Sequence, residues 1–491
     1  MLVLLTRSTT CYGKKIEAWA GERVGPLVVG FLLQPVTPAA MLEFEQSLRE
    51  MLRELGRELV EWTCNALEPE EAEDAAEHIR VGAAGYRRTS EKTPNRDVAT
   101  AFGPITLWRR GYRSWDRDDG EPMRFPLEEQ LGLVAKTTPL MAGLVARRMG
   151  EAGSTQRSTL DWLRRAHGLS LGAARLRKLC EQVSSSVEEQ RESLQVQQLL
   201  KWLKQAQDTR GRRKPVLAVG RDGVSFHVQG VYEVGSTATI SVYGRDGKRL
   251  GTVYLAHASE PYQVTLSAQL TSLLKATLGG WEGPPPRLCY VTDSGDAETR
   301  YFRQTLRKME DPRRPGKRLE WIWVVDYFHA AERISIMAKA LKFRSPRAAE
   351  SWGRRMRKLL LKPGGAGRLL HSAAAMKSRL GVKKYLADEF KTAVAYLRKR
   401  TKFMRYDEFK RQGLPIGSGV TEAACKTVFT QRLKLSGMQW KRGGANVILR
   451  LRVTLLSGLW DQAYTAAVKM ADPSHIRVHD KKQNNTMKNA A

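Results

Sequence analysis

The amino-acid sequence predicts an α/β domain with a mixed sheet, which is interrupted by an all-helical insertion and preceded by a mainly helical N-terminal region. Two observations lead to this prediction. From Pro215 to His329, short apolar strand patterns alternate with helical ones. From 331 to 412 the patterns are wholly helical, and the stretch is strongly basic.

The composition limits the class of protein. The chain has 491 residues, which is enough for about two to four domains. It contains 82 Lys plus Arg against 51 Asp plus Glu, a formal net charge of +31. Such an excess favours a nucleic-acid partner over an acidic small substrate. Because 42% of the residues are hydrophobic, the chain is expected to be globular rather than a basic tail.

The cysteines and the apolar runs indicate the cellular compartment of the protein and whether the chain crosses a membrane. The five cysteines are scattered without a C-x-x-C pair, which argues against a disulfide framework and a Cys-rich zinc site, so we expect no zinc. No apolar run approaches the roughly 18 residues of a membrane span, and residues 1–5 are too short for the core of a signal peptide. These features predict a soluble, cytoplasmic protein with no membrane partner.

Residues 1–100 form the first predicted region. Residues 1–37 are expected to be irregular or β-rich because prolines punctuate them. A helix is predicted from Pro38 to about Leu67, and residues 41–80 contain 12 acidic and 4 basic residues, so this segment should avoid DNA. Its apolar stripe has 4-3-4-3 spacing and consists of Leu48, Leu52, Leu55, Leu59 and Trp62. The stripe is either a seam for self-association, giving a homodimer or larger assembly, or an ordinary core face.

Residues 101–183 are predicted to hold a small hairpin and a helix-turn-helix-like pair. Residues 101–115 alternate and carry aromatic side chains, which indicates the hairpin. Helices over 154–166 and 171–183 are separated by a short turn, so the second helix is a candidate for the DNA major groove; plain helix packing is the alternative. The basic residues of that second helix are Arg175, Arg177 and Lys178. A charged helical connector, 184–214, follows.

The predicted sheet domain spans 215–330 and resumes over 413–470. Its first strand contains Asp222, and two further strands are joined by a Gly244–Gly247 hairpin signal. After a helix, a strand ends at Asp293, and a last apolar strand ends in polar residues. Three strands, a helix, a strand, a helix and a strand is the order expected of a ribonuclease-H-like domain. Carboxylates fall in or at the ends of three of these strands.

The insertion, 331–412, carries much of the basic excess. Residues 341–410 contain 20 basic and 5 acidic residues, a net charge of +15. A solvated helical face is the usual meaning of such a run, but the imbalance is too one-sided for internal ion pairing and favours a surface that faces phosphates. The proposed phosphate contacts on it are Arg354, Arg355 and Arg357. At the end of the chain, residues 475–491 are expected to be a disordered tail.

The stretch Gly413–Lys426 follows the insertion. Ser418 is a candidate N-cap, and Glu422 lies at the start of the predicted helix. Glu422 either complements the helix dipole or binds a metal ion that faces a polyanion. A basic run with an aromatic residue comes next, and its candidates for DNA binding are Arg432, Lys434, Trp440 and Arg442.

Asp222, Asp293 and Glu422 form one candidate site. Phosphodiester cleavage by two divalent ions needs oxygen ligands that hold the metals ~3.5–4 Å apart. Mg²⁺ takes few carboxylates and keeps several waters, so three acidic side chains suffice, and Mn²⁺ is the other candidate. Asp296 is a rival for the second position; we prefer Asp293 because it ends the predicted strand.

Four segments carry a resemblance to a known family. They are Arg221-Asp222-Gly223, Val291-Thr-Asp293, Asp326-Tyr-Phe-His329 and Ile416-Gly-Ser-Gly-Val-Thr-Glu422-Ala-Ala-Cys-Lys426. Together they resemble the DDE transposases of bacterial insertion sequences, most of all the Kra and Lre groups, which are related to eukaryotic Mutator-like elements. The last segment, followed by Arg432-x-Lys434-x-Ser-Gly-Met-x-Trp440, is the most specific part; the resemblance covers roughly residues 100–465.

The resemblance implies a ribonuclease-H-like fold with an all-helical insertion before a catalytic Glu. It also implies that Asp222, Asp293 and Glu422 are the catalytic, metal-binding triad of a Mg²⁺-dependent enzyme. Asp326 and His329 match a Cys- or Asp-x-x-His motif of relatives, which makes both of them catalytic candidates. His329 is either a supporting catalytic group or a structural histidine. The implied partner is double-stranded DNA, in the bacterial cytoplasm near the nucleoid.

The chain departs from the family at one point, and two other functions stay open. Many relatives have a zinc-ribbon-like Cys pair after the aromatic hairpin, whereas residues 112–120 contain no cysteine here. The first alternative is a non-catalytic DNA-binding regulator on the same fold. The second is a ribonuclease-H-like nuclease without strand transfer.

Overall fold

A computed structural model describes residues 2–115, 122–471 and 476–479. The chain divides into two compact units. Unit 1 comprises Met1–Val145, Gln156–Leu179 and Val468–Ala491, and unit 2 comprises Ala146–Thr155 and Cys180–Ala467. Each unit is described by itself below.

Unit 1 combines helices with an antiparallel sheet. In chain order its elements are α1 (Leu2–Leu33), α2 (Pro38–Ala66), β1 (His78–Val81), β2 (Ala84–Thr100), β3 (Gly103–Ser114), α3 (Pro126–Gln130), the first residues of α4 (Pro139–Gly150), α5 (Gln156–His167) and the start of α6 (Ala173–Asp208). The strand Ile476–His479 pairs with β1, which continues to β2 and β3. This strand corrects part of the predicted disordered tail, 475–491, whose other residues lie outside the described ranges.

The N-terminal residues are helical, so the irregular or β-rich structure predicted for 1–37 is wrong. Helix α1 continues through Pro26, although an internal proline removes one helical hydrogen bond. It runs antiparallel to α2, with Phe31 stacked on Phe44 at a ring-centroid distance of 4.5 Å and Arg23 paired with Glu54. Packing on a second helix therefore outweighs the local penalty of the proline.

Helix α6 differs from the two elements predicted over its length. The second helix of the predicted helix-turn-helix pair and the connector 184–214 form one continuous helix as far as Asp208. No Gly or Pro occurs between Ala173 and Asp208, so nothing in the backbone chemistry ends the helix at Val183.

Unit 2 contains the larger sheet. Its elements after α6 are β4 (Val216–Val228), β5 (Val231–Tyr243), β6 (Arg249–His257), α7 (Val264–Gly279), β7 (Arg287–Thr292), α8 (Asp296–Gln304), β8 (Glu310–Asp311), β9 (Arg314–Arg318), β10 (Trp321–Val325), α9 (Tyr327–Ala340), α10 (Pro346–Leu360), α11 (Gly365–Leu380), α12 (Ala387–Arg400), α13 (Tyr406–Gln412), α14 (Gly419–Ala424), α15 (Gln431–Leu433), α16 (Arg442–Leu456) and α17 (Trp460–Met470). The π-helical segment Cys425–Thr430 joins α14 to α15.

The predicted α/β class with a mixed sheet is confirmed. The five strands lie in the order β10-β7-β4-β5-β6, in which β10, β7 and β4 are parallel and β4, β5 and β6 form an antiparallel meander. Apolar side chains cover both faces. Val216 and Ala218 on β4 pack with the cluster from α9–α13, whereas Leu217 and Val219 pack with α6, α7 and α8. The period-two alternation of the strand thus builds two separate cores.

Candidate active site

Asp222 lies within β4, opposite Thr237 on β5. Its Oδ1 accepts a hydrogen bond from the amide of Gly223 at 2.7 Å, and its Oδ2 accepts one from the Cys425 thiol at 3.3 Å. Cys425 begins the π-helical segment, a backbone form that often occurs at functional sites. The half-buried carboxylate of Asp222 therefore lies between the sheet and the helical segment that follows α14.

Asp293 follows the last residue of β7, in a turn that the helical insertion holds in place. Ser294 has a left-handed backbone with a φ of 61°, and the Gly295 amide donates to Asp293 Oδ1 at 3.0 Å. From α12, the Tyr396 hydroxyl donates to the Asp293 carbonyl at 2.8 Å, and Arg400 donates to the Ser294 carbonyl at 2.7 Å. The helical insertion thus fixes the backbone that carries the second carboxylate.

Asp296, the rival for the second position, is an exposed residue in the first turn of α8. The carboxylates that raise the pKa of Asp222 are Asp293 and Glu422. We therefore keep Asp293 as the second member of the candidate site.

Glu422 lies in the first turn of α14. Its Oε1 accepts a hydrogen bond from the Ser418 hydroxyl at 2.7 Å and is 3.5 Å from His329 Nε2. Ser418 occupies the predicted N-cap position, but its side chain bonds the Glu422 carboxylate instead of a backbone amide. Both contacts orient the carboxylate of Glu422, so its surroundings include more than a helix dipole.

Helix α14 packs directly against the sheet. The Thr421 hydroxyl hydrogen-bonds the Thr239 hydroxyl at 2.8 Å, and a Cβ at Gly220 would lie only 1.8 Å from Thr421 Oγ1. Glycine at position 220 therefore allows the helix that carries Glu422 to approach the strand that carries Asp222.

Asp326, one of the catalytic candidates from the sequence, acts in the structure as a positioning residue. Its side chain is completely buried. One carboxylate oxygen accepts the amides of Phe328 and His329 and caps α9, and the other accepts the amide of Ser418. The Tyr327 amide also donates to the carbonyl of Ile416 at 2.8 Å. Asp326 thereby joins the end of β10 to the loop that precedes Glu422.

The charges of Asp293 and Glu422 act on the carboxylate of Asp222. Burial raises the pKa of Asp222, and the negative charges of Asp293 and Glu422 raise it further, whereas hydrogen bonds from Gly223 and Cys425 oppose the shift. Oxygen donors of this kind suit Mg²⁺, and a cation would relieve the repulsion. Among the described residues, no three His, Cys, Asp or Glu side chains already stand together as a metal-holding group.

A fourth carboxylate, Glu298 on α8, was not found by sequence reasoning. Only 6% of Glu298 is exposed, and burial, with the nearby charge of Asp293, raises its pKa to about 7. Arg221, also buried, lowers this pKa and donates to Ser267 and Gln263. The sequence gives only a weak indication that Glu298 lies near the site: Glu298 is five residues beyond Asp293, on a short helix.

Two residues predicted to bind DNA have structural roles in unit 2. Arg432 is 1% exposed, and its Nε donates to the Met149 carbonyl at 2.8 Å. Trp440 Nε1 donates to the Leu433 carbonyl at 2.9 Å, and the Trp440 backbone bridges to Val228 at the end of β4. The basic run with an aromatic inside it is therefore partly a packing motif, which its sequence does not reveal.

In unit 1, Arg175 also has a structural role. Its guanidinium donates to the carbonyls of Ala135, Asp97 and Lys136, with distances between 2.5 and 3.0 Å. Three carbonyl partners hold the group within the fold, whereas Arg177 and Lys178 on the same helix are exposed. Of the three proposed reading residues, only these two present an exposed side chain.

The remaining basic candidates are more accessible. Arg354, Arg355 and Lys434 are exposed, although Arg354 pairs with Glu350 at 3.1 Å. Arg357 is half-buried and donates to the Ser335 hydroxyl at 3.1 Å. The exposed Arg442 forms an ion pair with the carboxylate of Glu233.

No protein-family model matches the chain, and no curated protein matches it significantly. Within the described ranges, none of the helices combines the length and apolar character that crossing a membrane requires.

Proposed function

We propose that the chain is a transposase of the DDE class, which binds the ends of an insertion sequence, cleaves DNA strands and joins 3′-hydroxyl groups to target DNA. The observation that carries the proposal is the arrangement of Asp222, Asp293 and Glu422. They come from a strand, a turn after a neighbouring strand and a helix packed on the same sheet, and two of them raise the pKa of the third.

The element order supports a ribonuclease-H-like identity for the catalytic domain. Three antiparallel strands, helix α7, strand β7, helix α8 and strand β10 follow one another in the chain, with only the small β8–β9 hairpin added. The all-helical segment α9–α13 then precedes Glu422, where the resemblance implies an insertion.

Asp222, Asp293 and Glu422 are the residues that would hold Mg²⁺ or Mn²⁺. When bound, such ions supply an activated water or 3′-hydroxyl and stabilise charge on the leaving oxygen. The chain's own residues prepare the ligands. Ser418 and His329 orient Glu422, and the contacts from α12 hold the turn of Asp293.

Double-stranded DNA is the proposed substrate because the protein carries a large positive charge. The net charge of +31 favours a polyanion, and the exposed residues Arg177, Lys178, Arg354, Arg355 and Lys434 remain as contacts. Self-association through α2 and a cytoplasmic, nucleoid-associated location belong to the same proposal.

The test is a strand-transfer assay with the full-length protein. Inverted repeats that bracket the gene supply candidate end sequences, and labelled duplexes of these ends are incubated with supercoiled plasmid and Mg²⁺ or Mn²⁺. We expect cleavage at the ends and covalent joining to the plasmid. Cleavage without joining would favour the nuclease alternative, and specific binding without either reaction would favour the non-catalytic regulator.

A further inference from the structure

A basic groove lies at the edge of the large sheet opposite to the candidate carboxylates. Its volume is about 330 Å³, and it is bounded by the starts of β7 and β10 and by the β8–β9 hairpin. Asp293 lies six residues beyond Arg287, the first residue of β7. At ~3.3 Å per strand residue, about 20 Å separates the groove from the turn of Asp293.

The groove has a strongly positive rim and an apolar floor. Its lining contains six basic side chains and two acidic ones, and the floor includes Leu288 and Ile322. The basic side chains are Lys214, Arg287, Arg313, Arg314, Lys317 and Arg318. One of the acidic residues, Asp311, is buried and already neutralised by Arg313 and Arg314, which lie 3.5 and 2.8 Å from it. The positive charge of the rim is therefore largely uncompensated.

The β8–β9 hairpin carries most of these basic side chains. All five residues of β9 are exposed, and four of the six residues from Arg313 to Arg318 are basic. An isolated two-stranded hairpin is marginally stable in water. Here Arg313 anchors it by donating to the Trp281 carbonyl at 2.9 Å, and the Leu319 amide donates to the Met309 carbonyl at 2.9 Å. The anchors leave Lys317 and Arg318 exposed to solvent.

The positive charge continues along the same edge of the sheet. Arg210, Arg212 and Arg213 are exposed and precede Lys214, which lies two residues before the start of β4. Arg245, in the turn between β5 and β6, donates to the Arg213 carbonyl at 3.2 Å. A band of cations thus runs past the ends of neighbouring strands, which suits an extended polyanion better than a single small anion.

We infer that this groove and band form a second binding surface for the phosphate backbone of duplex DNA, separate from the carboxylate site. The inference rests on the proposed function, because it adds to the same protein a surface that binds DNA at a distance from the strands that react. Contacts of this type are independent of base sequence and are steeply weakened by salt.

The test measures binding of a 5′-labelled duplex of arbitrary sequence, ~30 bp long, by fluorescence anisotropy over a salt series with EDTA present. The variant is the full chain with Lys214→Gln, Lys317→Gln and Arg318→Gln. All three side chains are exposed, so thermal unfolding should match that of the wild type. We expect about 10- to 100-fold weaker binding near 0.1 M salt and a salt-dependence slope reduced by about 2 to 3.

The matched control retains the charges as Lys214→Arg, Lys317→Arg and Arg318→Lys, and it should bind duplex DNA like the wild type. Unchanged DNA binding by the Gln variant would overturn this inference alone. A wild-type protein that binds no duplex at low salt would overturn both this inference and the proposed function. A Gln variant that loses binding to poly-glutamate but not to DNA would assign the groove to an acidic peptide and also overturn the inference.

Discussion

At the scale of single residues, the candidate site separates ligands from the groups that hold them. Asp222 and Glu422 each accept one hydrogen bond from a neutral side chain, Cys425 and Ser418 respectively. Asp326, in contrast, is completely buried, and its two oxygens accept hydrogen bonds from three backbone amides, so this carboxylate holds the backbone in place. A short sequence motif does not distinguish these two kinds of carboxylate, because each of them appears in it only as an acidic residue.

Removing one ligand should abolish chemistry and spare DNA binding. Asp222→Asn, Asp293→Asn or Glu422→Gln should lower cleavage and joining by on the order of a thousandfold, because a displaced metal ion no longer stabilises the transition state. His329→Ala should have an intermediate effect, since it removes a group that orients Glu422. The measurement is the strand-transfer assay, with end binding followed in parallel.

Asp296→Asn is the matched control for that series, because Asp296 is an exposed carboxylate three residues from Asp293. It should remain nearly fully active. An active Glu422→Gln enzyme would refute the assignment of the triad. A dead Asp296→Asn beside an active Asp293→Asn would move the second ligand by three residues.

Asp326→Ala should reduce stability as well as activity. It leaves the amides of Phe328, His329 and Ser418 without their acceptor, and losing a cap or orphaning buried donors costs about 1–3 kcal/mol. Urea unfolding measures the loss. A variant with unchanged stability but no cleavage would mean that Asp326 acts directly in the chemistry.

The raised pKa of Glu298 predicts a pH dependence of stability. Its pKa is about 7 in the folded protein against an ordinary 4.5, so between these values the folded state holds a proton that the unfolded state has lost. Stability should therefore fall as pH rises from about 5 to 8, by up to about 3 kcal/mol. Thermal unfolding in EDTA tests this. Glu298→Gln should flatten the profile and the exposed control Glu282→Gln should not; a profile that stays equally steep in Glu298→Gln would contradict the assignment.

At the scale of elements, the apolar stripe of α2 shows that the spacing of apolar residues does not determine which surface they pack against. Val60 and Cys64 pack against the core formed by β2, β3 and α3, and Asn65 bonds the backbone of β3. The stripe itself is half-buried except for Leu52, which is 53% exposed. Part of the apolar surface of α2 therefore remains available for a second copy of the chain.

Leu52→Lys with Leu59→Lys should convert the protein to a monomer. A buried apolar seam cannot take lysines without losing its burial free energy. Light scattering gives the mass. Leu42→Lys is a control on the same helix, because Leu42 is 55% exposed and lies off the 4-3-4-3 spacing. An unchanged mass in the double variant would assign the stripe to packing within one chain.

At the scale of the whole molecule, charge is distributed by segment. The acidic stretch 41–80 belongs to unit 1, whereas the basic insertion and the basic groove belong to unit 2. The free energy of DNA binding is a sum over many weak phosphate contacts. Removing any two of these contacts should therefore weaken DNA binding without abolishing it.

Neutralising Arg354 and Arg355 should weaken binding to element ends and to random DNA alike. Both side chains are exposed on α10, so the fold should be retained, and the salt-dependence slope should fall by about 2 if both contact phosphates. Anisotropy titrations with the two kinds of DNA provide the measurement. A loss confined to element ends would instead make α10 a sequence reader.

The sequence by itself determined the α/β class, the strand that contains Asp222, the strand that directly precedes Asp293, and the helical character of 331–412. These depend on local periodicity and on side-chain chemistry, which a linear pattern retains. The tertiary structure alone decided that α1 is helical, that Arg175 and Arg432 are structural, and that Glu298 lies near the candidate site. The physical reason is that each of these depends on which distant segment supplies the packing, the carbonyl acceptor or the neighbouring charge.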